Sequence, residues 1–274
     1  MKGDLLSYVL RWAVRLAAAV TASLVLIIIG YILIKGIPHL TPSFFEWKST
    51  SENASVMPSI VNTLIMTALA LVIATPLGIG SAVYLVEYAK RGSKLVELIR
   101  LTTETLSGIP SIVYGLFGYL FFVIALGWNY SLLSGAFTLS IMILPLVIRT
   151  TEEALKAVSD SYREGSFGLG AGRLRTVLKI VLPSAVPGIL AGVILSVGRI
   201  VGETAALIYT AGTIAALPQN LLSSGSTLSV HMYVLASEGL YINQAYATAV
   251  VLLVIVLLIN FIASFIAKKL AKGN

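Results

Sequence analysis

Apolar positions in this chain come in long blocks separated by short polar stretches, not at the short periods of soluble helices or strands. The first block, residues 16–34 (LAAAVTASLVLIIIGYILI), follows Lys2, Arg11 and Arg15. About 20 apolar residues cross the hydrocarbon core of a bilayer, so this block predicts a membrane span. A secretory signal has a shorter apolar region, about 7–15 residues, ending in small residues at the cleavage site. Here Lys35-Gly36-Ile37-Pro38 follows instead, which predicts a retained span. Further blocks at 60–84, 106–127, 131–148, 187–208 and 245–266 bring the expected spans to six. Pro76, Gly78 and Gly80 in the second span and Pro110 in the third suit membrane helices, whose neighbours satisfy the freed backbone groups. Asn62, Pro76 and Pro110 are expected to shape helices, and Trp12, Trp128 and Tyr130 to anchor them at the membrane interface.

Composition sharpens this into a single all-α membrane domain over residues 1–274. Charged residues make up 11% of the chain, against about 25% in soluble domains. Mean hydropathy is +0.94. The net charge of +7 could suggest nucleic acid, but its distribution argues otherwise. With six spans, sixteen Lys and Arg fall in the N-terminus, the loops about 85–105 and 149–186, and the C-terminus, and two fall on the other side. That bias predicts both termini in the cytoplasm. Cysteine is absent, so disulfides and thiolate metal sites are excluded.

The basic loop 149–186 predicts a helix over 152–167, with Leu155, Val158 and Tyr162 at helical spacing. Gly168, Gly170 and Gly172 then break it, since glycine costs about 1 kcal/mol in a helix interior. A second short helix is expected over 173–182. Leu174, Val177, Leu178 and Val181 form its apolar stripe, and Arg173, Arg175 and Lys179 lie off the stripe, where they can meet headgroups or a partner. The expected element is a helix–turn–helix lying across the membrane surface and ending at Pro183. An interfacial helix that merely anchors the loop is the alternative.

Within this loop, Glu164, Gly165, Ser166, Gly170, Ile180, Leu182 and Pro183 follow E-x5-G-x9-I-x-L-P spacing. The pattern resembles the EAA motif of ABC importer permeases, with Gly165 and Ser166 in place of two alanines. The resemblance implies a MetI-like permease of six transmembrane helices. It also makes this loop the cytoplasmic coupling helix, seated in a cleft of an ATPase subunit. The glycines at 168, 170 and 172 lack the Gly-Lys-Ser/Thr ending that holds nucleotide phosphates and Mg²⁺, and no other stretch supplies it. No cofactor is therefore expected on this chain, and ATP and Mg²⁺ are expected on a partner.

The fifth expected span contains GRIVGETAALIYTAG, residues 198–212. Arg199 and Glu203 are four apart, about 40° around a helix, and so lie on the same face. A charge at mid-bilayer costs about 2.5–3.5 kcal/mol on insertion scales, which makes such residues functional candidates. The bland reading is a self-neutralising pair with Gly198 and Gly202 packed on a neighbour. The segment resembles the GRxxGETA stretch of phosphate importer permeases of the Pst system, closer to the PstA type than to the PstC type. SGIPSIVYGLFG (107–118), LPLVIRTTEEAL (144–155) and HMYVLASEG (231–239) extend the likeness over about residues 55–260. It implies phosphate as substrate, with Arg199, Glu203 and Arg149 on its pathway. Expected partners are a PstC-like permease, two PstB-like ATPase subunits and an extracytoplasmic PstS-like phosphate-binding protein.

Guanidinium forks match phosphate oxygens in pairs, and Glu203 is expected to balance Arg199 until the anion arrives. Arg149, at a helix end, could equally be an anchor. A gradient-driven carrier would leave the surface motif unexplained, and no inverted repeat is evident. A membrane enzyme is disfavoured: His39 and His231 are the only histidines, no H-E-x-x-H or G-x-S-x-G occurs, and no span contains Asp. Within the ABC class the chief alternative is a permease for another oxyanion such as sulfate or molybdate, and only the 198–212 resemblance argues against it.

Overall fold

The computed structural model describes residues 2–272 except 51 and 91, with side chains for residues 7–265 other than those two. Every regular element among them is helical. Helix α1 (Lys2–Gly36) runs into a short polar segment, and α2 (Met57–Val83) follows, extended by one wide turn through Tyr84–Tyr88. Next come α3 (Lys94–Ser107) and α4 (Ser111–Gly118), the latter prolonged by a wide turn through Tyr119–Ala125. Helix α5 (Leu132–Lys156) precedes the short helices α6 (Asp160–Gly168) and α7 (Arg173–Thr176). A wide turn through Val177–Val181 joins α7 to α8 (Leu182–Val201). The chain closes with α9 (Ala205–Thr210), α10 (Leu228–Glu238) and α11 (Ile242–Lys272).

Five stretches are long and apolar enough to cross a membrane: Ser7–His39, Met57–Tyr88, Leu132–Lys156, Arg173–Val201 and Ile242–Phe265. A sixth candidate is a bent pair, Lys94–Ser107 and Ser111–Ala125, whose limbs meet at 101°. The block at 106–127 is therefore the second limb of a bent pair. Pro110, which cannot donate a backbone hydrogen bond and disfavours helical geometry before it, sits at the corner. The first limb, inside the expected loop 85–105, is a helix that packs Val96 and Ile99 on Leu85 and Ile148.

Helix α5 is the centre of the bundle, flanked by α2 and α8. Small residues let the backbones approach. A Cβ on Gly78 would meet Val147 Cγ1 at 2.6 Å, and one on Gly188 would meet Ala154 Cβ at 2.7 Å. Gly192 lies directly against the Thr150 side chain. In lipid, where apolar surface gains little by leaving its solvent, such close packing replaces the hydrophobic drive between helices. Met66, Ala70 and Ala74 of α2, Leu139, Met142 and Ile143 of α5, Ile200 of α8 and Leu207 of α9 form one buried cluster.

Two sequence expectations change here. The fifth span, expected to 208, stops as a helix at Val201; residues 202–204 break it before α9. In addition, the chain does not stop being helical at Pro183, because residues 173–201 form one continuous rod. The wide turn at 177–181 absorbs the missing proline N–H and its ring.

Candidate functional site

Arg199 lies in the last turn of α8, half-buried, and its neighbour Ile200 packs in the central cluster at the level of the middle of α2. Among the described residues it makes no hydrogen bond and no ion pair, and the Tyr114 hydroxyl lies within its electrostatic reach. The expected Arg199–Glu203 pair is absent. Glu203 has left the helix and turned to the next one: its Oε1 accepts from the Ala206 N–H at 3.0 Å, and its carbonyl accepts from Ser229 Oγ at 2.5 Å. Four-residue spacing brings side chains together only on an unbroken helix, and Glu203 caps α9 instead. The result is a cation with free donors beside a helix break.

Arg149 is placed elsewhere. It is exposed on α5 and pairs with Glu153, Nε to Oε1 at 3.1 Å. Thr150 is level with Gly192 on the antiparallel α8, so Arg199 lies about 10 Å farther along the bundle axis, seven residues at 1.5 Å each. Arg149 and Arg199 thus stand at two depths of the bundle.

The loop motif forms a compact hairpin at the basic end. The helix expected over 152–167 is split: α5 ends at Lys156, and Ser159 caps α6 by accepting from the Ser161 N–H. Gly170 makes the turn with φ +82°, a region that strains any residue with a Cβ. Ser166 and Thr176 hydroxyls join across the hairpin at 2.8 Å. Leu182 packs against the buried cluster of Leu155, Val181 and Ala185, and Ile180 and Pro183 are half-buried in the rod. Glu164 and Gly165 stay exposed and uncommitted, beside exposed Tyr162, Phe167 and Leu169. Of the expected stripe, Val177 and Val181 are buried, whereas Leu174 and Leu178 face outward.

Sequence reasoning missed the residue that holds this hairpin. Arg163 reaches back to α2 and places Nη2 at 2.7 Å and Nε at 3.1 Å from Glu87 Oε1. It also donates to the carbonyls of Val158 at 2.7 Å and Leu155 at 2.9 Å, and to Asp160 Oδ1 at 3.2 Å. The Arg163 and Glu87 side chains are only 14% and 8% exposed. One guanidinium therefore ties α6 to the ends of both α2 and α5. The available signal was Glu87, a lone acid closing an apolar span. Nearby, Glu152 Oε1 lies 2.7 Å from both Arg100 Nη2 and Lys156 Nζ; these are charge contacts outside hydrogen-bonding geometry.

Residues 74–273 match the family described as binding-protein-dependent transport system inner membrane component. The probable ABC transporter permease protein YqgI of Bacillus subtilis (strain 168) is 35% identical over 240 residues, covering 82% of this chain and 81% of that protein. The phosphate transport system permease protein PstA of Pasteurella multocida (strain Pm70) is 40% identical over 182 residues, 66% of this chain and 64% of that one. PstA 1 of Mycobacterium tuberculosis (strain CDC 1551 / Oshkosh) is 40% identical over 157 residues, 57% of this chain and 51% of that protein. This chain thus spans about half to two thirds of those PstA proteins. Among solved structures, an inward-facing MetNI methionine ABC transporter aligns with TM-score 0.61 at 21% identity, over 78% of this chain and 94% of its own. A bacterial alginate ABC transporter aligns with TM-score 0.63 at 18% identity, over 92% and 95%. These likenesses establish the multi-pass ABC permease fold. The chain belongs to the binding-protein-dependent transport system inner membrane components, the permeases of ABC importers.

Proposed function

We propose that this chain is a translocating permease subunit of an ATP-driven importer of inorganic phosphate. The observation that carries the reading is Arg199: a guanidinium at mid-bundle with no carboxylate partner among the described residues, beside a break in its helix. An unbalanced cation in an apolar bundle is costly, and an arriving anion relieves that cost. Guanidinium donors match two phosphate oxygens at once, as they do not match an uncharged solute. The PstA proteins among the relatives agree with this substrate. Glu203 acts on the path by holding the break open through Ala206, and Arg149 stands nearer the basic end as a second cation for the departing anion.

ATP and Mg²⁺ belong to the partner subunits in this reading. Glu164, Gly165, Ser166 and Gly170, with the exposed apolar tip at Phe167 and Leu169, form the face that docks on a PstB-like ATPase. Ile180, Leu182 and Pro183 root that face in the rod. A PstC-like permease completes the pathway, and a PstS-like binding protein delivers phosphate at the opposite end. The basic end is cytoplasmic.

The test is uptake of labelled phosphate by proteoliposomes holding the four components, with ATP inside and sulfate as competitor. ATP-dependent uptake that sulfate does not suppress is expected. Arg199→Ala should lower it by about 10- to 100-fold, the worth of a charge-assisted hydrogen-bonded pair, while ATPase assembly survives. Uptake driven by ion gradients without ATP, or an Arg199→Ala importer that runs unchanged, would sink the reading.

A further inference from the structure

The basic end carries a cavity that shares only Phe167 with the docking face of the transport reading. It lies between the end of α2, the start of α3 and the hairpin of α6 and α7, with a volume of about 490 Å³. Five basic and two acidic side chains line it. The acids are spent: Glu87 and Asp160 are both held by Arg163. Arg100 and Lys156 share the single carboxylate of Glu152. Lys90 has no ion pair among the described residues, and Arg173 has only the Tyr88 ring, with its Cζ 5.4 Å from the centroid. The cavity therefore presents uncompensated positive charge.

Its wall continues into exposed apolar surface. Leu85 and the neighbouring Arg100–Ile148 region separate it from an apolar groove of about 450 Å³ along α2, lined by Pro76, Leu77, Gly80, Tyr84 and Ile99. At Gly80 the absent side chain leaves open space: a Cβ there would meet nothing within 4 Å. Leu95, Leu98 and Leu101 of α3 face outward beside it, each about 60% exposed. A cationic chamber at the end of a span, sharing the Leu85 wall with an apolar groove that runs along that span, has the polarity of a phospholipid. Basic pockets between membrane helices on the cytoplasmic side recognise anionic headgroups.

We propose that this chamber and groove bind one anionic phospholipid. The headgroup phosphate meets Lys90 and Arg173, and an acyl chain lies along α2 over Gly80. Because the same chamber touches Arg163 and the start of the α7–α8 rod, the lipid sits against the hairpin. The inference does not depend on which solute the permease carries.

The probe is phosphatidylglycerol, titrated against phosphatidylcholine onto the delipidated permease and counted by native mass spectrometry. One phosphatidylglycerol should be retained in preference to phosphatidylcholine. The pair Lys90→Ala and Arg173→Ala should weaken it by about 30-fold, about fivefold for each basic residue near an anionic surface, and leave phosphatidylcholine unchanged. Gly80→Leu, which keeps every charge and fills the groove with a good helix former, should also lower phosphatidylglycerol retention. Equal binding of the two lipids, or indifference to the charge pair, would overturn the proposal. So would displacement by millimolar inorganic phosphate with Gly80→Leu silent, which would mean a free-anion site. Release of the lipid on assembly with the ATPase subunit would assign the chamber to that protein, and would also overturn it.

Discussion

Arg163 shows how much one side chain can organise. Its contacts with Glu87, Leu155, Val158 and Asp160 leave it no spare direction, so loss of the guanidinium strands a buried carboxylate and two helix-end carbonyls. Removing one partner of a buried pair costs about 3–5 kcal/mol. Arg163→Ala should therefore loosen the hairpin without touching Arg199: faster amide exchange over 160–176 and weaker coupling of ATP hydrolysis to uptake. Arg163→Lys should rescue little, since one ammonium cannot replace a fork that reaches two elements. Exchange that stays at the wild-type rate in the alanine variant would contradict the clamp. His231 supplies a pH handle at the other end. Burial pushes its imidazole below the ordinary value of 6.5, against the opposing pull of the Ala54 carbonyl and Glu238. The folded state therefore holds His231 neutral. Its contribution is intact above pH 6.5 and is lost as pH falls through the lowered folded value, because the unfolded chain takes up the proton first. The thermal unfolding midpoint should fall as pH is lowered from 7.5 to 5.5, and His231→Gln should flatten that slope.

At the scale of elements, the breaks matter more than the helices. The apolar blocks made the spans legible, and the basic loops made their grouping legible. Neither could reveal the break at residues 202–204. Reading Arg199 and Glu203 as neighbours assumed that the helix runs on, and apolar content says nothing about where a backbone stops. Gly202 followed by Glu203 and Thr204 was a readable stop-and-restart signal, outweighed by the apolar residues on either side. The corner at Pro110 was legible as an oddity and was given only a shaping role; it turns the chain through 101°. Arg163 stayed hidden because its meaning depends on Glu87, 76 positions away. The short α4 and α9 also depend on a contact that sequence cannot show. A Cβ on Gly115 would meet Ala206 Cα at 2.7 Å. Backbone cannot yield there as a side chain can, so Gly115→Ala should push α4 off α9 at a cost of about 1–3 kcal/mol. A lower melting temperature would register it, whereas Gly165→Ala, with open space at its Cβ, should be silent.

For the whole molecule, the separation of charge between its ends argues for one orientation, and the absence of cysteine makes that orientation easy to test. Glu52→Cys and Ser161→Cys place single exposed thiols at opposite ends of the bundle. An impermeant thiol reagent added to intact cells should label the first and reach the second only after permeabilisation; the reverse pattern would invert the topology.

One further consequence follows from the rod of residues 173–201. It meets α5 most closely where Gly188 and Gly192 touch Ala154 and Thr150, so that contact would serve as a fulcrum. The hairpin lies about 26 Å to one side of it and Arg199 about 14 Å to the other, at 1.5 Å per residue. Any rocking about this pivot moves the two ends in opposite senses, and the short arm travels about half as far as the long one. A push of about 2 Å on the hairpin becomes a counter-swing of about 1 Å at the guanidinium, as on an unequal seesaw. Bulk added at Gly192 would then push the beam off its bearing on Thr150 while leaving both ends chemically intact.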